Sequence, residues 1–301
     1  MGVIIMISYY DRKTKSLETE KVVGDKSIRA IYCNPLGKGL LELFVKKRLF
    51  TKLYGSYCDT EYSSKKIDNF IKEYDINMNR YKKELSFEFN SFNDFFAREL
   101  KPEYLKVDLN ENILISPCDG KLLAYTNIDI ENIIQVKGIT YSLKELIGDD
   151  ILASKYSGGT CLVFRLCPTD YHRFHFIDGG ICSAPTKIPG SYYSVNPIAL
   201  ENKAKLFCQN KREWSVLSSK NFNEVLYVEV GATCVGSIIQ SYDGGKEISR
   251  GEEKGYFKFG GSTVILFLKK DICSIDEDIL KYSSDGVETL VSFGETIGKK
   301  L

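Results

Sequence analysis

Along residues 35–55, PLGKGLLELFVKKRLFTKLYG, apolar side chains return at helical spacings: Leu36, Leu40, Leu43, Phe44 and Phe50, with Lys38, Lys46, Lys47, Arg48 and Lys52 between them. Positions that recur every three or four residues share one side of an α-helix, so the segment is predicted to be a basic amphipathic helix. Such a helix packs its apolar face on a core, lies in a membrane interface, or does both. Two more helical segments follow, KKIDNFIKEYDI from Lys65 and NSFNDFFARELKPE, where Asn90 or Ser91 can cap and Pro102 stands just past the end.

From about residue 113 the pattern changes to short strand-like runs punctuated by glycine, among them NILISPCDGKLLAYT, IIQVKGITYS, TCLVFRLCP, HRFHFIDGGICSA, EVLYVEVGATCVGSII and STVILFLKK. Only SLKELIGDDILASKY reads as helical in this half, with ENKAKLF a weaker candidate. The amino-terminal MGVIIMISYY is apolar but has no basic start or small-residue cleavage site, and reads as a first strand. The expected fold class is therefore α+β: residues 1–105 form an N-terminal strand and an amphipathic, membrane-associating helical region, and residues 106–301 form a β-rich body of packed antiparallel sheets. No stretch approaches the roughly eighteen apolar residues of a membrane span, so any membrane contact is expected to be peripheral.

Composition narrows the partners. The 301 residues are 43% hydrophobic, enough for a large core, and 41 basic against 40 acidic residues leave no overall field to attract nucleic acid. Nine cysteines, an odd number with no Cys-x-x-Cys pair, suit reduced, buried thiols in a cytoplasmic compartment better than a disulfide framework or a zinc site, and no metal is expected.

The segment GYFKFGGSTVILFL, residues 255–268, reads as one buried strand interrupted by Gly260, Gly261, Ser262 and Thr263. Glycine inside a strand marks a bulge, a bend or a close approach to the backbone. At Gly261–Ser262 the glycine leaves its carbonyl open, and in a strained turn the serine hydroxyl can reach back to attack it, exchanging the amide for an ester. Such an attack needs a base, and the only two histidines, His172 and His175, both lie in PTDYHRFHF. In a strand a spacing of three puts the two rings on opposite faces, whereas at a turn or bulge both can reach one pocket. Asp119 in SPCDGKL is either a plain turn residue before Gly120 or the group that orients a histidine, and spacing does not choose between these.

Seven motifs, FNDFFARELKPE, SPCDGKL, VKGITYSLKELIG, DYHRFHF, YYSVNPIAL, VEVGATCVGSI and RGEEKGYFKFGGSTVILF, resemble the phosphatidylserine decarboxylases in order and approximate spacing over residues 90–270. The resemblance implies a chain that cuts itself at Gly261–Ser262 into a β chain (1–261) and an α chain (262–301), with Ser262 becoming a covalent pyruvoyl cofactor. It implies Ser262 as nucleophile, His175 as base and Asp119 as the group orienting His175. The ketone at position 262 would form a Schiff base with the amine of phosphatidylserine and serve as electron sink for loss of carbon dioxide, giving phosphatidylethanolamine. His172 is the candidate proton donor for that step and His175 the alternative.

The implied partners are phosphatidylserine in an anionic membrane, met peripherally at the cytoplasmic face, and an αβ heterodimer, with a dimer of αβ units left open. The implied body is a pair of packed sheet layers with helices at one end. Two positions depart from the family pattern: Gly260 stands where a bulky apolar residue is frequent, and Cys118 where alanine or valine is common. The extra glycine should loosen the backbone beside the scissile bond and bear on the speed of cleavage. Two other classes compete: an uncleaved Ser-His-Asp lipid hydrolase using the same three residues, and a non-enzymatic lipid-binding protein. Against the hydrolase, Ser262 leads into a strand rather than the strand-to-helix elbow such enzymes use.

Overall fold

The computed structural model describes residues 7–136, 138–233 and 237–301. Its centre is an eleven-stranded sheet in which Ser262–Leu268 lies between Glu224–Val230 and Thr160–Leu166, antiparallel to both. Gly120–Thr126 and Glu288–Val291 continue the sheet beyond Thr160–Leu166, and Ser8–Asp11 joins Glu288–Val291 as its one parallel pair. The strand expected at the amino terminus thus begins at Ser8; residues 1–6 lie outside the described residues.

Both faces of the Ser262 strand are covered, which is why its sequence is a continuous apolar run rather than an alternating one. Val264, Leu266 and Leu268 enter one core with Phe174, Phe257, Ile275 and Ile297 from two small three-stranded sheets. Ile265 and Phe267 enter another with Leu143, Leu146, Ile198 and Phe207 from short helices. The order of layers is helices, large sheet, small sheets, an α+β architecture in which helices cover a sheet face as well as the N-terminal region.

A third core ties that region to the body. Ile67, Phe92 and Phe95 pack there with Tyr171 and Phe293. The helix expected over residues 35–55 is broken into Pro35–Leu40, a π-helical turn Leu41–Val45, and Arg48–Cys58. Leu41 turns inward, whereas Leu36, Leu43, Phe44 and Leu49 are exposed. The segment from Asn90 forms a helix only over Phe92–Phe96, capped by the Ser91 hydroxyl accepting the Asp94 N–H at 3.1 Å. SLKELIGDDILASKY divides into Leu143–Ile147 and Asp150–Ser154 at Gly148, which takes a φ of 73°.

GYFKFGGSTVILFL is not one strand. Glu253–Phe257 pairs in a small sheet with Ile238–Gln240 and Arg173–His175, and the chain crosses through residues 258–261 before entering the large sheet at Ser262. The glycines lie in that crossing.

Candidate active site

Ser262 opens its strand opposite Leu166 and is completely buried. The crossing segment before it is held from the N-terminal region: Asn93 Oδ1 accepts the Phe259 N–H at 2.8 Å, and the Phe259 ring meets Phe92 and Phe96. Gly260 has a φ of 134°, a conformation side chains disfavour, so this glycine answers a backbone demand rather than loosening a bond. A Cβ on Gly261 would lie 3.2 Å from Val195 Cγ2, so Val195 closely walls this position. Beside it is a cavity of only about 50 Å³, lined by Glu20, Arg165, Cys167, Val195, Asn196 and Gly261 among others.

The ring that meets Ser262 is His172, with Nδ1 3.2 Å from the hydroxyl oxygen. Its Nε2 lies 2.8 Å from the Cys167 carbonyl, which can only accept, so Nε2 carries the proton and Nδ1 offers its lone pair to the serine. Phe96 stacks on the ring at 3.8 Å. Burial, and then the charge of Arg98, hold the imidazole well below its ordinary value of 6.5, so it stands neutral near pH 7.

His175 is turned elsewhere. Its Nδ1–H donates to the Gly251 carbonyl at 3.0 Å, leaving Nε2 to accept the Tyr171 hydroxyl at 3.0 Å. Burial lowers its pKa to about 4. Asp119 does not bond this ring directly. It pairs with Arg80 at 2.7 Å and accepts the Phe293 N–H at 2.8 Å, and the Phe293 ring stacks on His175 at 3.9 Å. The expected direct pairings of His175 with Ser262 and of Asp119 with His175 are thus not formed in the uncleaved chain.

The physical reason is the strand. Within Arg173–His175, alternation sends Phe174 into the core and His175 to the other face, while His172 lies just before the strand, in the segment that follows the Cys167–Asp170 turn. Nothing in the sequence pattern marks Cys167, Phe96, Arg98, Phe293 or Arg80 as neighbours of these rings. Two of them act through groups that spacing cannot expose, a backbone carbonyl and a backbone N–H. Phe96 and Arg98 lie in FFARELKP, whose helical pattern concealed a second duty.

Residues 92–299 match the family profile described as phosphatidylserine decarboxylase. The chain is 59% identical over 295 residues to a protein of Clostridium perfringens (strain SM101 / Type A), covering 98% of this chain and 100% of that one. It is 56% identical over 296 residues to one of Clostridium botulinum (strain Alaska E43 / Type E3), with 98% and 100% covered. It is 57% identical over 295 residues to one of Clostridium tetani (strain Massachusetts / E88), with 98% and 99% covered. All three are named phosphatidylserine decarboxylase proenzyme. With the profile spanning most of the chain and these relatives matching nearly all of it, the protein belongs to the phosphatidylserine decarboxylase family.

Proposed function

We propose that the chain is the precursor of an enzyme that decarboxylates phosphatidylserine to phosphatidylethanolamine after cutting itself between Gly261 and Ser262. The observation that carries this reading is the contact of a neutral, tautomerically defined His172 with a fully buried Ser262 hydroxyl, beside a glycine held close to its neighbours. The hydroxyl gives its proton to Nδ1 as its oxygen attacks the Gly261 carbonyl carbon. The C–N bond then breaks, the nitrogen takes a proton, and an ester joins residues 261 and 262. Loss of the Ser262 α-proton expels the Gly261 carboxylate and leaves dehydroalanine, and water converts that to a pyruvoyl group with release of ammonia.

The residues present fit that group, since position 262 starts a rigid buried strand and a histidine faces it. Once formed, pyruvoyl supplies an electron sink for decarboxylation. His172 is then the ring that faces the reacting carbon, and to deliver a proton there it must first take one up at Nδ1. A second reading gives the cleavage step to His175, favoured by the Asp119–Phe293–His175 stack, which couples the carboxylate to that ring without touching it. The uncleaved hydrolase gains no support. In the intact chain Ser262 has no exposed surface and the cavity of about 50 Å³ beside Gly261 holds a few waters, so an external ester would reach the hydroxyl only if the chain around it moved.

Cleavage should leave the two chains together. Val264, Ile265, Leu266, Phe267 and Leu268 are all fully buried between neighbouring strands, and burial of each such side chain contributes roughly 1.5–3 kcal/mol. Native size-exclusion chromatography should therefore elute residues 1–261 and 262–301 in one peak, as an αβ heterodimer. Separation without denaturant would contradict the central place of the Ser262 strand.

Among the described residues no helix is long and apolar enough to cross a membrane. We infer peripheral docking through the broken helix of residues 35–58, at the cytoplasmic face where anionic lipid attracts basic segments. Its exposed Leu43, Phe44, Leu49 and Leu53 supply apolar area, and Lys38, Lys47 and Lys52 add about 1 kcal/mol each near an anionic surface. Flotation with phosphatidylserine-containing vesicles should be strong at low salt and weaker at high salt. It should fall sharply when Phe44, Leu49 and Phe50 are made polar, and unchanged flotation would remove this segment from the interface.

A further inference from the structure

Arg98 is 2% exposed. Among the described residues no carboxylate lies within ion-pair distance of it. Its Nη2 donates to the carbonyls of Thr169 at 2.7 Å and Asp170 at 2.9 Å and approaches the Tyr81 hydroxyl at 3.2 Å, while Nη1 reaches the Phe95 carbonyl at 3.3 Å. The guanidinium also lies over the rings of Tyr81 and Phe95, at 4.4 and 4.8 Å, and Nε has no hydrogen-bond partner. A buried cation without a counter-charge is costly, and an apolar side chain would fill the space without that cost. Its position calls for a role beyond packing.

The two gripped carbonyls belong to the turn that sets His172. In that turn the Asp170 N–H donates to the Cys167 carbonyl at 2.9 Å, and the Cys167 N–H donates to Asp170 Oδ2 at 2.7 Å. Lys121 faces the same carboxylate at 3.9 Å. The Cys167 carbonyl is also the acceptor of the His172 Nε2–H. We propose that Arg98 is a positioning residue for the chemistry at residue 262: by gripping the Thr169 and Asp170 carbonyls it fixes the turn so that the Cys167 carbonyl holds His172 with its proton on Nε2 and its lone pair on Nδ1, facing position 262. Without the grip the turn relaxes, the carbonyl drifts, and the ring populates the tautomer with the proton on the wrong nitrogen. The charge of Arg98 adds to this by opposing protonation of the ring.

This inference rests on the reading that His172 serves the reaction, so the experiment compares Arg98→Met and Arg98→Lys with His172→Ala. Because the chain has only two histidines, imidazole nitrogen NMR of the full-length Ser262→Ala chain gives two ring systems, assigned with His175→Gln. In that background Arg98→Met should show His172 shifting from the Nε2–H tautomer toward the Nδ1–H tautomer. With Ser262 present, Arg98→Met should slow self-cleavage, the step that uses the Nδ1 lone pair, by ~10- to 100-fold, in the same direction as His172→Ala. Arg98→Lys should recover tautomer and rate together, at least in part.

Wild-type rates in Arg98→Met, or slow rates with an unshifted tautomer, would overturn the proposal. If Arg98→Met does not fold, Arg98→Gln, neutral and shorter, carries the same two readouts under the same criteria. Should His172→Ala itself leave self-cleavage intact, the failure belongs to the role of His172 and not to Arg98.

Discussion

Ser262→Ala should remain a single chain of 34.1 kDa on a denaturing gel, where the unsubstituted protein should resolve into residues 1–261 and 262–301, and it should have no decarboxylase activity at all. In the proposed mechanism the attacking oxygen and the future electron sink belong to the same residue, so one substitution removes both. The effect should not come from unfolding. Removing one buried hydroxyl from the edge of a strand whose other six residues are buried leaves its packing in place, and the backbone at position 262 still pairs with Leu166. The variant should therefore elute as a folded protein with a cooperative thermal transition. Two fragments from folded Ser262→Ala would sink the self-cleavage mechanism, because the proposed attacking oxygen is absent from that variant.

The second large effect is expected from His172→Ala. His172 touches the Ser262 hydroxyl, stacks on Phe96 and donates to a carbonyl, so its removal takes away the one titratable side chain described in contact with position 262. Loss of a positioned proton donor costs ~100- to 10,000-fold in rate, well beyond what a packing defect in a still-folded site produces. The quantity to measure is decarboxylation per pyruvoyl group, titrated with a carbonyl reagent, so that incomplete maturation does not pass for slow chemistry. Accumulation of uncleaved chain in the same variant would place His172 in both steps. Normal maturation with slow turnover would move the cleavage step to His175 and its Asp119–Phe293 support. Near-normal turnover per pyruvoyl would remove His172 from the decarboxylation step.

The position of the broken helix of residues 35–58 shows how far periodicity reaches. Spacing of Leu36, Leu40, Leu43 and Phe44 identified an apolar face, but the break at Lys46–Lys47 and the inward turn of Leu41 depend on what the body offers the helix: Tyr193 and Lys203 bind Glu42, and the Lys46 carbonyl accepts the Tyr192 N–H. Helix endings fared similarly. FFARELKPE carries helix-forming residues past Phe96, yet the helix stops there: the Lys82 N–H donates to the Glu99 carbonyl, Leu100 bridges Tyr81, and Arg98 reaches the Thr169 and Asp170 carbonyls more than seventy residues later in the chain.

What the sequence by itself determined is local and compositional. A continuous apolar run from Val264 to Leu268 dictates a strand covered on both faces, paired glycines before it dictate an unusual backbone, and a chain with two histidines leaves few candidates for proton transfer. What only the tertiary structure decided is which of these groups meet. His172 and Ser262 are ninety residues apart, and their contact depends on the Ser262 strand pairing with Thr160–Leu166 so that the Cys167 turn closes over its first residue. Two histidines three positions apart carry equal promise in the sequence. Strand alternation and a single backbone carbonyl give them different neighbours, and neither the face of a strand nor the direction of a carbonyl is set until the chain has paired with itself.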